Sequence, residues 1–125
     1  MGAVVLIVED NSRNLKLVRD VLGHAGYSTL CACDGEAGVE LARSHRPDLV
    51  LMDINLPGMS GFDAVKQLQA WPETRHIPIV GLSAAALIKD TTRAKSAGFY
   101  RYLTKPVKVA ELTATLEELL VRDRS

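Results

Sequence analysis

The sequence has little of three features that would each indicate a class of protein: charge of one sign, long apolar runs and cysteine. Its 125 residues include 15 Lys or Arg and 15 Asp or Glu, so the chain as a whole has no field that would attract nucleic acid or an anionic membrane. Its N-terminal apolar run, residues 3–8, is far shorter than a signal-peptide core or a membrane span. We therefore predict a cytoplasmic protein that binds neither nucleic acid nor a membrane.

Cysteine is scarce as well. The two cysteines, Cys31 and Cys33, are separated by one residue. That spacing fits neither CxxC redox chemistry nor the usual zinc pairs, and no histidine lies nearby to complete a metal site. We predict that both are ordinary reduced residues of a strand.

What the sequence does contain is a regular alternation of short apolar runs and amphipathic segments, which predicts alternating strands and helices. The strands are expected at residues 3–8, 27–32, 49–53, 77–82 and 99–103. The helices are expected from a cap at Asn11 or Ser12 to about residue 25, then at about 35–45 with Asp34 as its cap, 61–71, 86–97 and 112–120. No linker or repeat interrupts the pattern, so we expect one domain over residues 1–125, with no output domain after its last helix.

Five strands alternating with five helices predict an α/β fold of the (βα)5 doubly wound type. Its parallel sheet would be covered by helices on both faces. The expected strand order is 2-1-3-4-5, as in flavodoxin-like folds, which places the first strand beside the third. Ligands of such sheets bind outside the carboxyl ends of the strands. We therefore expect the functional site at the carboxyl ends of strands one and three.

The chain is organised around DLVLMDINLPGMSG, residues 48–61. Its apolar half, residues 49–52, is typical of a parallel strand that is buried on both faces. The strand ends on Asp53, and the following Pro57 and Gly61 prevent it from continuing. An aspartate at that position is a nucleophile, a metal ligand or a helix cap.

Polar residues also follow the neighbouring strands. Glu9 and Asp10 follow strand one, Ser83 ends strand four and Lys105 follows strand five. Because neighbouring strands are about 5 Å apart, three carboxylates converge and repel one another by about 3 kcal/mol per pair at an effective dielectric constant of 20. Lys105 can offset one charge. A hard divalent cation, Mg²⁺ or Mn²⁺ as a substitute, offsets more.

Such a site suits phosphoryl transfer, which requires positioning and neutralisation of the phosphoryl oxygens. The cation, Lys105 and the Ser83 hydroxyl can each take one oxygen, which leaves Asp53 as the nucleophile that forms an aspartyl phosphate. Taken singly, these residues have simpler explanations. Asp10 could cap a helix, Ser83 could be a helix-initiating hydroxyl, and Lys105 could be a solvated loop lysine.

Four segments together resemble a known family: VLIVEDN at strand one, PDLVLMDINLPGMSG around strand three, GLSA at strand four and YLTKP after strand five. In this order and spacing, the whole chain is similar to the receiver domain of bacterial two-component response regulators, the chemotaxis-type fold. The resemblance implies a receiver that takes a phosphoryl group from a phosphohistidine on a sensor histidine kinase or a histidine phosphotransfer protein. It implies no enzymatic turnover beyond the domain's own phosphorylation and dephosphorylation.

The resemblance also implies a role for each residue of the acidic site. Asp53 would be the phosphoacceptor, and Asp10 would ligate Mg²⁺ directly. Glu9 would act largely through a metal-bound water. The backbone carbonyl of Asn55 would be another ligand.

Three further positions match the family's switch. Ser83 matches the switch hydroxyl, Tyr102 matches the aromatic switch position, and Lys105 followed by Pro106 matches the family's cis peptide. A phosphoryl group would draw Ser83 inward and allow Tyr102 to turn from an outward to an inward rotamer. That turn would change the face of strands four and five that contacts a downstream protein. Taken alone, Tyr102 is equally well explained as a half-buried strand aromatic.

Two other functions stay open. Phosphatases of the haloacid dehalogenase type also use a strand-end Asp, Mg²⁺, a hydroxyl and a Lys, but their second Asp lies two residues after the nucleophile, where this chain has Asn55. A pseudo-receiver would bind partners without phosphorylation, although the complete set of acids argues against it. Residues 81–112 are similar to receivers of hybrid sensor kinases, so the sequence leaves open a stand-alone regulator or a hybrid-kinase receiver.

Overall fold

Strands and helices alternate in the computed structural model, which describes residues 3–56, 58–84 and 98–121. The strands are β1 (Val4–Val8), β2 (Ser28–Ala32), β3 (Leu49–Asp53), β4 (Ile79–Ala84) and β5 (Arg101–Lys105). The helices are α1 (Ser12–His24), α2 (Gly35–His45), α3 (Gly61–Ala70) and α4 (Val109–Leu116), and α4 continues as a π-helical turn (Glu117–Val121). The helix predicted at 86–97 lies outside the described residues. Within the three described ranges, no helix has the length and apolar character needed to cross a membrane.

The strands form one parallel sheet in the order β2-β1-β3-β4-β5. The predicted doubly wound α/β fold with strand order 2-1-3-4-5 is therefore confirmed. In the register of the sheet, Val8 of β1 pairs with Met52 of β3, and Asp53 pairs with Leu82 of β4. Glu9, the residue after Val8, consequently lies level with Asp53 at the carboxyl end of the sheet.

Helices cover both faces of the sheet and hold its central strand, β3, in place. Every residue of β3 is buried. Val50 and Met52 belong to an apolar cluster formed with α2 and α3, whereas Leu49 and Leu51 belong to one formed with α1 and α4. Burial of an apolar side chain of this size contributes about 1.5–3 kcal/mol, so Asp53 lies at the end of a strongly anchored strand.

Polar side chains satisfy the first backbone N–H groups of α1 and α2. Asn11 Oδ1 accepts hydrogen bonds from the N–H groups of Arg13 and Asn14 at 3.0 and 3.1 Å. Asp34 Oδ1 accepts one from the third residue of α2 at 2.7 Å. The cap predicted at Asp34 is confirmed, and Asn11 rather than Ser12 caps α1. Each cap stabilises its helix by about 1 kcal/mol.

The predicted start of strand four is wrong by two residues. β4 begins at Ile79 rather than at residue 77, because Pro78 has no N–H to donate to a neighbouring strand. The Pro78 carbonyl accepts a hydrogen bond from the Val50 N–H at 3.0 Å. Pro78 therefore pairs with β3 through its carbonyl alone.

The predicted start of strand five is wrong by the same amount. β5 begins at Arg101, because Phe99 is buried and its ring packs edge-to-face on Phe62 with centroids 5.7 Å apart. Lys105 is consequently the last residue of β5. The prediction that it follows the strand is corrected, and so is the alternative that it is a loop lysine.

The prediction that both cysteines lie in a strand is confirmed for Cys31 and wrong for Cys33. Both cysteines are free. Cys31 lies in β2 and is half-buried, but Cys33 is exposed beyond the end of β2 at Ala32. The strand ends there because the chain turns to place Asp34 as the cap of α2.

Candidate functional site

Three carboxylates meet at the carboxyl ends of β1 and β3. Glu9 and Asp10 follow β1, Asp53 ends β3, and one oxygen atom from each lies within 4.8 Å of the others. Glu9 and Asp53 are buried, with 1% and 3% of their surface exposed, whereas Asp10 is exposed. The structure thus brings together the three acids that the sequence placed at neighbouring strand ends.

Lys105 joins two of these acids. Its Nζ donates to Asp53 Oδ2 at 2.6 Å and to Glu9 Oε1 and Oε2 at 3.1 and 3.3 Å. The position of Lys105 follows from the sheet, since Lys105 pairs with the last residue of β4, Ala84. The peptide bond between Lys105 and Pro106 is cis, as the resemblance implies. Lys105 is therefore placed to neutralise charge at Asp53.

The loop after β3 contacts the other Asp53 oxygen. The Asn55 N–H donates to Asp53 Oδ1 at 3.0 Å, while the Asn55 side chain is exposed. Gly61 lets α3 begin close to the strand, because a Cβ there would come within 2.7 Å of the Asp53 carbonyl oxygen and of Ile54 Cα. The structure therefore places Asn55 beside Asp53, and the contact is made through its backbone.

The pKa values of the two buried acids move in opposite directions. Burial, and then the hydrogen bond with Asp53, raises the pKa of Glu9 from 4.5 to about 7. Burial also acts to raise the pKa of Asp53, but hydrogen bonds with Glu9, Lys105 and the Asn55 N–H outweigh it and lower that pKa. Glu9 is therefore the acid of the pair that takes up a proton more readily, and Asp53 is the one that stays ionised.

Ser83 lies in β4, one residue beyond the partner of Asp53, and pairs with Thr104 of β5. Its side chain is buried, with 1% exposed. Because β4 continues to Ala84, Ser83 is a strand residue. Its position in the sheet puts it on the strand next to Asp53, at the same end.

Tyr102 of β5 has a buried hydroxyl. Its ring centroid lies 5.0 Å from that of Phe99, and it covers Gly81, where a Cβ would approach a ring carbon to 2.8 Å. Within the part of the chain that the structure describes, no polar atom bonds to the Tyr102 hydroxyl. Burial raises the pKa of Tyr102 to about 12, so the hydroxyl is neutral at physiological pH.

Sequence reasoning missed one residue of this region, Asn14. Its side chain lines a small cavity together with Glu9 and Lys105. A signal for it existed, because a cap at Asn11 places Asn14 in the first turn of α1, next to the end of β1.

The donor set of the acidic site fits a hard divalent cation. The cluster consists of three carboxylates. Oxygen ligands of this kind suit Mg²⁺ and Mn²⁺, whereas structural zinc sites use thiolates and imidazoles.

A comparison with protein families matches residues 5–117 to the model of the response regulator receiver domain. Among curated relatives, the polar-differentiation response regulator DivK of Brucella anthropi is 42% identical over 120 residues, which cover 96% of this chain and 98% of that protein. The DivK of Brucella ovis is 41% identical with the same coverage.

Two solved structures are similar over nearly the whole chain. The receiver domain of the sensor histidine kinase PA1611 from Pseudomonas aeruginosa has magnesium coordinated in its active-site cleft; it is 36% identical, with a TM-score of 0.87 and coverage of 95% of this chain and 98% of that one. The chemotaxis protein CheY4 of Vibrio cholerae is 30% identical, with a TM-score of 0.89 and coverage of 96% and 100%.

Proposed function

The chain belongs to the response regulator receiver domain family, and from that membership we propose that it accepts a phosphoryl group on Asp53 in a Mg²⁺-dependent reaction. The proposed donor is a phosphohistidine on a sensor histidine kinase or a histidine phosphotransfer protein. Phosphorylation would alter the face of β4 and β5 that a downstream protein contacts. The observation that carries the proposal is the meeting of Glu9, Asp10 and Asp53 with Lys105 at one end of the sheet.

The residues of the site support an in-line transfer. A carboxylate oxygen of Asp53 would form a bond to phosphorus while the bond from phosphorus to the histidine nitrogen breaks, and the imidazole would keep that electron pair. Lys105 lies 2.6 Å from Asp53 Oδ2 and would neutralise a phosphoryl oxygen. The Ser83 hydroxyl, on the adjacent strand, would donate to another.

Four residues would hold the cation: Glu9, Asp10, Asp53 and the backbone carbonyl of Asn55. Bound Mg²⁺, or Mn²⁺ as a proposed substitute, supplies positive charge for the carboxylates and for the incoming phosphoryl group. The magnesium ion in the cleft of the PA1611 receiver supports this assignment. Because the pKa of Glu9 is raised, Glu9 would offer its negative charge to the cation only in its deprotonated form.

Leu17 is the residue that we propose as a contact for a protein donor. Leu17 of α1 is 50% exposed, and it lines a cavity of about 40 Å³ with Pro106 and Val107, next to Lys105. An exposed leucine beside the site is suited to pack on a donor protein. Leu17→Glu should therefore slow transfer from a phosphorylated histidine protein by about tenfold, the effect of about 1.4 kcal/mol. Phosphorylation by acetyl phosphate, which needs no docking, should be unchanged, and an equal loss with both donors would exclude a docking role.

The proposed output face includes Tyr102. A phosphoryl group on Asp53 would draw in the Ser83 hydroxyl on β4, and Tyr102 on the neighbouring β5 would respond. Hydrogen exchange of residues 98–105 should change after phosphorylation of the wild type and stay unchanged after phosphorylation of Tyr102→Ala. An undiminished change in Tyr102→Ala would show that the coupling runs through other residues.

The central test is the intact mass of the protein after incubation with acetyl phosphate and Mg²⁺. We expect one added phosphoryl group that is stable in acid and labile in base, and we expect none in Asp53→Asn or in a metal-free sample. An unchanged wild-type mass would favour the pseudo-receiver. Steady hydrolysis of a phosphomonoester by the purified protein would instead favour the phosphatase.

A further inference from the structure

A groove lies under the amino ends of β4 and β5, at the end of the sheet opposite to Asp53. Its volume is about 490 Å³, and small-molecule sites are typically clefts of about 300–1,000 Å³. Its walls come from the end of α3, the segment before β4, the turn before β5 and the π-helical turn after α4. None of the described residues that line it belongs to the acidic site, so a ligand bound there would not compete with a phosphoryl group on Asp53.

The inner wall of the groove is apolar and is held by packing. Ile77, Phe99 and Leu119 line it and are buried. On one side, Gln69 of α3 lies against Gly98, where a Cβ would come within 3.1 Å of the Gln69 side chain. Gly98 has a φ of +105°, a conformation that favours glycine in the turn before β5. A wall fixed in this way is formed before a ligand arrives, which lowers the entropic cost of binding.

The segment that carries Arg75 is also held in place. Thr74 is fully buried, and its hydroxyl donates to the Leu68 carbonyl at 2.6 Å. The Arg75 N–H donates to the Trp71 carbonyl at 2.9 Å, and the Ile77 N–H donates to the Thr74 carbonyl at 3.0 Å. The backbone of Arg75 therefore has little freedom to lose when a ligand binds to its side chain.

The charge of Arg75 is not neutralised by another side chain among the described residues. Glu118, the acid that lines the groove, is instead bound by Arg101, whose guanidinium contacts both of its oxygens at 2.7 and 2.9 Å. Glu73, two residues before Arg75, pairs with Arg43 at 3.6 Å. A guanidinium in this situation is suited to a carboxylate or a phosphate, which it can bind through two N–H groups at once.

The groove presents an exposed aromatic ring as well. Tyr100 lines it with 59% of its surface exposed, while the Tyr100 N–H donates to the Ile79 carbonyl at 2.8 Å. The ring is thus accessible, and its backbone is fixed beside β4. Tyrosine rings pack on the flat rings of ligands, and stacking of one base on an aromatic side chain contributes about tenfold or more to affinity.

We propose that this groove binds a small organic anion that carries a planar ring. Arg75 would hold the negative group, Tyr100 would stack on the ring, and the Gln69 amide would hydrogen-bond to polar atoms at the edge of the ring. A nucleoside monophosphate and an aromatic carboxylate share this chemistry. The inference is independent of the proposed function, because it uses no residue of the acidic site.

The test is a titration of the full chain with adenosine 5′-monophosphate and, separately, with benzoate, followed in the ¹H–¹⁵N amide spectrum. We expect the signals of residues 75–77 and 98–100 to shift with at least one probe, and the probe that binds identifies the anion as phosphate or carboxylate. Inorganic phosphate and acetate lack the ring and should bind at least about tenfold more weakly than the matching probe. No shift with either probe up to about 10 mM, or equal binding of the anion without its ring, would overturn the inference.

Four variants assign the binding to the two side chains. Arg75→Gln and Tyr100→Ala should each raise the dissociation constant of the bound probe by about tenfold. Tyr100→Phe keeps the ring, and Arg13→Gln removes an exposed arginine at the start of α1, so both should bind within about twofold of the wild type.

All four changes are at exposed positions, so the melting temperature should stay within about 2 °C of the wild type. Unchanged affinity in Arg75→Gln or Tyr100→Ala, or an equal loss in Arg13→Gln, would overturn the inference. The titration needs neither Mg²⁺ nor a phosphodonor, so a failure of Asp53 phosphorylation would count against the proposed function alone.

Discussion

The two halves of the sheet differ in how their buried polar groups are satisfied. At the ends of β1 and β3, the carboxylates of Glu9 and Asp53 have partners at 2.6 to 3.3 Å. On β5, the buried Tyr102 hydroxyl has no partner in the described ranges. A satisfied cluster is held in one arrangement, whereas an unsatisfied buried group costs about 1–3 kcal/mol and favours rearrangement. We infer that the β1–β3 half fixes the acidic groups and that Tyr102, in the β4–β5 half, responds to a change at them.

The strongest way to break this contrast is to remove the group that joins the halves, Lys105. Lys105→Gln should slow phosphorylation by acetyl phosphate by roughly 10²- to 10³-fold, because it removes the charge that neutralises the reacting oxygens. The rate is measured by intact mass at saturating Mg²⁺. Lys108→Gln, at an exposed position three residues later, is the matched control and should react at the wild-type rate. A normal rate in Lys105→Gln would remove this residue from the chemistry.

The second largest effect should be a pH dependence of the free energy of unfolding, of up to roughly 3 kcal/mol, that comes from protonation of Glu9. Its pKa is about 7 in the folded protein and about 4.5 unfolded, so the folded state binds more protons between these values. Stability from this group is therefore fully present below about pH 4.5 and is lost as pH rises through about 7, and the shift corresponds to roughly 3 kcal/mol. Asp53 acts oppositely, since its lowered pKa gives stability that is lost as pH falls below 3.8.

Urea unfolding of metal-free protein at pH 5 and pH 8 measures this effect. Glu9→Gln should lack most of the wild-type loss of unfolding free energy between the two pH values. Glu40→Gln, which removes an exposed carboxylate of α2, should retain it. Parallel pH profiles for wild type and Glu9→Gln would show that Glu9 does not hold the proton.

The smallest expected effect is a change in the free energy of unfolding on removal of the Tyr102 hydroxyl, and it tests whether the β4–β5 half contains an unsatisfied group. Tyr102→Phe removes the unpartnered hydroxyl and keeps the ring, so it should raise the free energy of unfolding by about 1 kcal/mol. Tyr100→Phe is the control, because Tyr100 is 59% exposed and its change should stay within about 0.5 kcal/mol. Destabilisation by Tyr102→Phe would mean that the hydroxyl has a favourable contact and that the two halves are equally satisfied.

The β1–β3 half was predictable because its hydrophobic pattern is local in the sequence. A parallel strand covered on both faces is apolar at every position, so residues 49–52 and the terminal Asp53 identified β3 directly. Burial of β1 and β3 then forces Glu9 and Asp53 to one end of the sheet, whichever helix packs over them. The strand ends were less predictable, because an apolar residue such as Phe99 fills the core equally well from a turn.

The individual contacts between distant side chains were beyond sequence reasoning. Lys105 contacts Glu9 from 96 residues away, and nothing local in the chain shows that one lysine contacts two acids or that the pKa of Glu9 is raised while that of Asp53 is lowered. Asn14 was missed for a similar reason, since its place beside Glu9 in one cavity depends on how α1 follows β1. The burial of Tyr102 depends equally on which residue faces it across the strands.

That facing residue is Gly81, which pairs with Tyr102 and leaves the volume that the aromatic ring fills. Gly81 has no functional group, yet any larger residue at that position would exclude the ring from the interior of the sheet. The proposed change of Tyr102 between two conformations can thus depend on the absence of a Cβ at Gly81. A larger side chain at position 81 should displace Tyr102 and leave the acidic site unchanged. A search for variants that still accept the phosphoryl group but no longer change their partner binding should therefore begin there.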